Sequence, residues 1–230
     1  MTISEAMDVV RALCGKPDVD PILVRFAMDE GRREIERRGN YYWMSVGVDL
    51  AVFEDQYIYP ITTAVDAGFN LPDYKLSRYA FIKRSDSSGI PWSMLPIGSH
   101  ASMVDIHNFD AEGQPDAASV DNATMYLSPI PNTLYDVALF YFAWTTNDDD
   151  ITATDELFTQ WPMLIISSSL AVLIPMLTKN KEDAAFWLSI RDDEIKKAKD
   201  FTNARLGEPS ANHVVDASEA ARVLQSLQEK

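Results

Sequence analysis

The sequence predicts an α+β chain that is mainly helical: an antiparallel helical bundle with an inserted small β-rich module and an extended C-terminal tail. Three observations lead there. Apolar residues recur at helical spacing at both ends of the chain. Between them, from Trp43 to about Thr145, the period falls to two. Gly207 and Pro209 then close the last periodic segment. The expected organisation is bundle helices over 1–42, the β-rich insertion over 43–146, further bundle helices over 147–207, and a tail with one short helix over 208–230.

Ile3, Met7, Val10 and Leu13 share one face of a first helix. Thr2 or Ser4 can cap it, since a hydroxyl there accepts a backbone N–H that lacks a helical partner. Gly15, with Pro17 behind it, is its stop. Asp20-Pro21 opens the second helix with an acid at the cap and proline at the first position. Its apolar positions are Leu23, Phe26, Ala27 and Ile35. Arg32, Arg33, Arg37 and Arg38 crowd its last turns, where cations favour the helix dipole, and Gly39 ends it.

Val46, Val48, Leu50 and Val52 alternate with Gly47, Asp49 and Ala51, the mark of a half-buried strand. Gln56–Ile61 is extended, and Pro60 confines it to an edge or strand end. Tyr79–Lys83 is a further strand. The turn at Ser85-Asp-Ser-Ser-Gly89 lets Ile90–Leu95 pair back across it. Ser99 begins a short helix carrying Met103 and Ile106, and residues 110–121 read as a loop. Thr124–Leu127 and Leu134–Thr145 are strands on either side of Ser128-Pro-Ile-Pro-Asn132, so the insertion holds five or six short strands.

After residue 150 the helical period returns. Leu157, Trp161, Leu164, Ile165 and Leu170–Leu177 predict a helix apolar enough to be buried. Pro162 suits its first turn and Pro175 kinks or ends it. Asn180 caps the next helix, where Phe186, Ile190, Ile195 and Phe201 lie near one face. Residues 208–215 read as a linker before a last helix over 217–227.

Thirty-five acids against 20 lysines and arginines leave a net charge of −15. That balance argues against a basic face that grips phosphates. It suits plain solubility, and equally a conduit through which nucleic acid slides without sticking. The single cysteine, Cys14, excludes an intrachain disulfide. Trp161–Leu177 is broken by two prolines and three serines, short of the roughly 20 apolar residues that span a bilayer. No basic flank precedes an apolar core at the N-terminus. The chain is therefore expected to be soluble, with no membrane partner.

Candidate chemistry is thin. His100 and His107, with Asp105 between them, stand seven apart, a poor bite compared with the four-residue spacing of a helical zinc pair. Asp148, Asp149, Asp150, Asp155 and Glu156 lack the alternation and glycine of a calcium loop. Thr154 capping the next helix explains them better. Cys14 lacks a sequence-evident base, and no nucleophile elbow, phosphate loop or dinucleotide fingerprint is present. We expect no enzyme, no cofactor and no metal site. Arg32, Arg33, Arg37 and Arg38 interleave with Glu30, Glu34 and Glu36, as a solvated ion-pair face or as a contact with a neighbouring subunit. Two other readings are a cytosolic module whose β face binds a peptide or small ligand, and a small hydrolase-like enzyme using His100 and His107.

Four segments carry a family resemblance: Arg32-Arg-Glu-Ile-Glu-Arg-Arg-Gly-Asn-Tyr-Tyr-Trp43, Leu127-Ser-Pro-Ile-Pro131, Tyr135-Asp-Val-Ala-Leu-Phe-Tyr-Phe142 and Asp155-Glu-Leu-Phe-Thr-Gln-Trp-Pro162. In order and type of element, most of residues 20–205 resembles the head–tail adaptor (connector) proteins of tailed bacteriophages. The resemblance implies a structural virion protein made in the host cytoplasm. It would form a ring of about 12 copies beneath the portal, at the neck between head and tail, with a channel for DNA. It also implies a portal clasped by the C-terminal segment, with a tail or neck protein below. Val214, Val215, Val223, Leu224 and Leu227 would then be the portal-docking residues, apolar and spaced to fill a groove. Arg32, Arg33, Arg37 and Arg38 would join subunits.

Overall fold

The computed structural model describes residues 1–61, 69, 71, 73–86, 91–101, 111–121, 123–145, 147, 149–178 and 181–206. These residues form two compact units: Met1–Met44 together with the described residues from Thr145 to Leu206, and Ser45–Trp144. The second is thus an insertion in the first.

In the first unit, α1 (Ile3–Leu13) starts at Thr2, whose hydroxyl accepts the Glu5 N–H at 3.1 Å. The Glu5 carboxylate accepts the Thr2 N–H at 2.8 Å, closing a capping box. Helix α2 (Pro21–Arg37) is capped by Asp20, which accepts the Ile22 N–H at 2.8 Å. A short 3-10 turn (Tyr42–Met44) leads into the insertion. On the way back come α3 (Glu156–Gln160), α4 (Pro162–Leu177) and α5 (Lys181–Leu206).

Helix α4 is apolar around its whole circumference, so it has to be covered on several sides. It is: α1, α2 and α5 all pack on it, and Leu164, Ile165, Leu170 and Leu173 are buried. Pro175 sits in its last turn, and the helix ends two residues later.

Small residues set how closely α2 approaches α4. A Cβ on Gly31 would lie 3.0 Å from the Ser169 amide nitrogen and 3.1 Å from the Ser168 carbonyl carbon. Both neighbours are backbone, which cannot swing aside. Gly31→Leu is therefore expected to cost about 1–3 kcal/mol, despite leucine's better helix propensity. Urea denaturation measures it, and an unchanged or raised midpoint would contradict this packing.

The inserted unit holds ten strands among the described residues: β1 (Ser45–Val52), β2 (Ile58–Pro60), β3 (Tyr74–Arg84), β4 (Ser93–Leu95), β5 (Ile97–Gly98), β6 (Glu112–Gly113), β7 (Ala117–Asp121), β8 (Thr124–Ser128), β9 (Ile130–Pro131) and β10 (Tyr135–Ala143). One sheet runs β1-β10-β3-β4, antiparallel throughout. A second runs β2-β8-β7-β5, with β5 parallel to β7, and β6 pairs parallel with β9 in a third. Residues from the two larger sheets share a core: Val137, Leu139 and Tyr141 of β10 meet Tyr59, Met125 and Leu127.

Strand β10 is central and loses both faces to burial, which explains its run of aromatic and aliphatic residues. On its other face, Phe140 packs beside Tyr79 at 4.9 Å and lies across the cross-strand Gly47. A Cβ on Gly47 would come within 2.9 Å of that ring.

The chain is a mixed α/β protein with three sheets, not the mainly helical bundle expected from sequence. The shortfall has physical causes. β5, β6 and β9 are two residues long, too short to display a period, and exist only because a partner strand accepts them. The stretch read as a loop over 110–121 contains β6 and β7. β3 begins at Tyr74 rather than Tyr79, because Tyr74, Leu76 and Ser77 pair with Ala143, Phe142 and Tyr141 of β10, and its charged residues, which mask the pattern in sequence, lie over rings. The Lys75 ammonium sits 4.4 Å from the Trp144 ring centroid, and the Arg78 guanidinium lies 5.2 Å from that of Phe142.

Candidate functional site

The most concentrated polar chemistry among the described residues lies in the helical unit, around Arg32. This residue is on the buried side of α2 with only 3% of its surface exposed. A buried guanidinium is tolerable only when its donors are matched by acceptors. Nε donates to the Thr145 hydroxyl at 2.7 Å, Nη1 donates to the Asn147 side-chain oxygen at 2.7 Å, and Nη2 pairs with Asp155 at 2.7 Å. One helical turn along, Glu36 is also buried, 3.5 Å from Arg32, and accepts the Thr145 N–H at 3.0 Å and the Thr145 hydroxyl. Burial pushes the Glu36 carboxyl above its ordinary pKa, while the Thr145 hydrogen bonds and the Arg32 charge pull the other way.

The network extends outward. Asn147 donates to Asp29 at 2.7 Å, and Arg25 donates to the Asn147 carbonyl at 3.0 Å. Beside it opens a polar cleft of about 670 Å³ lined in part by Arg25, Asp29, Arg33 and Asp149. The chain beyond it folds onto the start of α1. There the Ile151 and Ala153 carbonyls take the otherwise unpaired N–H groups of Ser4 and Ile3, at 2.8 and 3.2 Å.

Asp155 does two jobs. One oxygen caps α3 by accepting the Phe158 N–H at 3.0 Å, and the other holds Arg32. The cap is therefore Asp155 and not Thr154, the residue the sequence suggests, because the chain turns into the helix one position later. Asp150 closes its own turn on Thr152, accepting its N–H at 2.9 Å and its hydroxyl at 2.7 Å. These bonds hold the Asp150 carboxyl below its usual pKa. Asp155→Asn keeps the cap but removes the charge, with an expected loss of about 1–3 kcal/mol. Asp155→Ala should lose about 1 kcal/mol more, from the cap. Equal denaturation midpoints for the two variants would show that the cap contributes nothing.

A second cluster knits the same unit together. Tyr42 meets Phe201 edge-on at 5.4 Å, Trp161 meets Phe201 at 5.7 Å, and the Arg205 guanidinium lies 4.3 Å from the Tyr42 ring centroid. Tyr41 is fully buried and stacks on Trp43 at 4.5 Å, and burial raises its phenol pKa.

The arginines expected to act as one exposed subunit contact separate into three environments. Arg32 does not belong to such a contact: its guanidinium is buried and matched inside its own chain, because it lies on the face of α2 turned to the core. Arg38 pairs with Glu34 on its own helix and with Asp192 on α5, both at 2.9 Å. Arg33 and Arg37 are exposed, paired along the helix with Glu30 at 2.6 Å and Glu34 at 4.0 Å.

His100 lies 3.2 Å from the Ser119 hydroxyl and 4.3 Å from the Tyr126 ring centroid. His107, Asp148, Val214, Val215, Val223, Leu224 and Leu227 lie outside the described residues. Cys14 is half-buried at the end of α1, its thiol 3.1 Å from the Arg11 carbonyl. Among the described residues no cluster of His, Cys, Asp and Glu has the makings of a metal site, and no helix is long and apolar enough to cross a membrane.

The chain matches none of the known protein-family models and none of the curated proteins with which it was compared.

Proposed function

We propose that this chain is a head–tail adaptor of a tailed bacteriophage, a structural protein rather than an enzyme. About 12 copies would form a ring beneath the portal, join the capsid to the tail or neck protein below, and leave a channel for DNA. The observation that carries this reading is the tie between two of the resembling segments. Arg32, which opens the first, pairs at 2.7 Å with Asp155, which opens the last. The aromatic ends of the same segments also meet through Phe201, with Tyr42 on one side and Trp161 on the other. Residues far apart along the chain thus meet in the fold, so the two resembling segments form one packed neighbourhood.

The net charge of −15 supports the same reading, since an acidic wall repels the phosphate backbone and lets a genome pass. Localisation to the virion neck after synthesis in the host cytoplasm follows from that role.

The test combines microscopy with a truncation. Electron microscopy of native particles should reveal a ring of this chain between portal and tail; particles whose necks lack it would refute the proposal. Deleting residues 208–230, which carry Val214, Val215, Val223, Leu224 and Leu227, is expected to abolish co-purification with the portal while the circular dichroism spectrum stays close to that of the full chain. A truncated chain that still binds the portal would remove the tail from this role.

A further inference from the structure

Helices α2 and α5 each pack one face on α4, and the faces opposite carry complementary chemistry. Helix α2 buries Val24, Met28, Gly31 and Ile35. At 100° per residue the opposite face runs through Ile22, Phe26, Arg33 and Arg37. Ile22 is 77% exposed and Phe26 48%, so two large apolar side chains stand in water at one end of the helix, with two arginines at the other. Helix α5 buries Ala184, Arg191, Ile195, Ala198 and Thr202. Its opposite face runs through Phe186, 58% exposed, and then the exposed acids Asp193 and Asp200.

We infer that these two faces are the two halves of a contact between copies, the α2 face of one chain seated on the α5 face of the next. The register supports this. Arg33 lies seven residues after Phe26, and Asp193 lies seven residues after Phe186. In a parallel arrangement with Phe26 against Phe186, both charges therefore stand about 10.5 Å along, opposite each other. Arg37 falls between Asp193 and Asp200, within a long side chain's reach of either. Lys197, at that level on α5, is held by Glu194 at 2.6 Å. The in-chain partners of Arg33 and Arg37 are exposed ion pairs, which cost little to exchange for an intersubunit acid.

Because the two faces differ, the contact is heterologous: each copy offers both halves, and repetition closes a ring or grows a filament instead of stopping at a dimer. This inference rests on the proposed ring and supplies its subunit joint. It also covers Phe26 and Phe186, which a lone chain would leave in water, while Ile22 stands level with Glu182 at the rim of the contact.

The experiment uses the full chain carrying Cys14→Ser, Phe26→Cys and Phe186→Cys, oxidised at high protein concentration. A ladder of disulfide-linked multimers is expected from this variant, but not from chains with either new cysteine alone. Adding Arg33→Glu should slow the ladder roughly tenfold, and adding Asp193→Arg to that variant should restore it. Two results would overturn the inference: dimers from Phe26→Cys alone as readily as from the pair, or a ladder indifferent to both charge changes. A ring in native particle necks without the 26–186 cross-link would refute this joint and leave the adaptor reading intact. A charge-dependent ladder from a chain absent from those necks would do the reverse.

Discussion

Arg32→Ala is expected to destabilise the helical unit by about 3–5 kcal/mol, the largest effect of any arginine in the chain. Removing one member of a buried ion network strands the others, and here Asp155 loses its 2.7 Å partner while buried Glu36 loses its nearby positive charge. Thr145 and Asn147 each lose a hydrogen bond at the same time. Against a typical total of 5–15 kcal/mol, that loss is a large fraction of what holds a domain folded. Arg37→Ala, by contrast, removes a side chain 60% exposed and 4.0 Å from its acid, and should cost less than about 1 kcal/mol. Hydrogen exchange of the α2 and α4 amides reads both variants locally. If Arg32→Ala behaved like Arg37→Ala there, the network would be ornamental to stability, and the tie between the resembling segments would lose its weight.

Leu139→Ala is expected to cost about 2–5 kcal/mol in the inserted unit. Leu139 has no exposed surface, stands in the middle of β10 between β1 and β3, and contributes to the core shared by both larger sheets. Its neighbours are held by cross-strand pairing on both sides, so little collapse can fill the space left behind. Exchange of the β3 and β10 amides should accelerate by the matching factor. A change below about 1 kcal/mol would mean that this core relaxes far more freely than its packing implies.

Local signals were the legible part of this fold. Thr2, Asp20-Pro21 and Pro162 announced helix starts because capping chemistry acts within three or four residues. The alternation from Val46 to Val52 and the aromatic run before Trp144 likewise announced β1 and β10. The weight of β structure was not legible. Two-residue strands have no period, and β3 conceals its length by laying lysine and arginine over aromatic rings. Gly31 was equally silent, since a close helix approach is a property of both helices together.

The candidate site divides the same way. The sequence by itself determined that α2 would carry a block of arginines and that an acid-rich stretch would precede the buried helix α4. Only the tertiary structure decided that Arg32 turns inward to Asp155 and Glu36, Arg38 reaches across to Asp192, and Arg33 and Arg37 stay in water. Four like charges within seven residues have the same local propensities. Their fates differ because a helix turns 100° per residue, and what each direction meets is set by chain folded back from more than a hundred residues away.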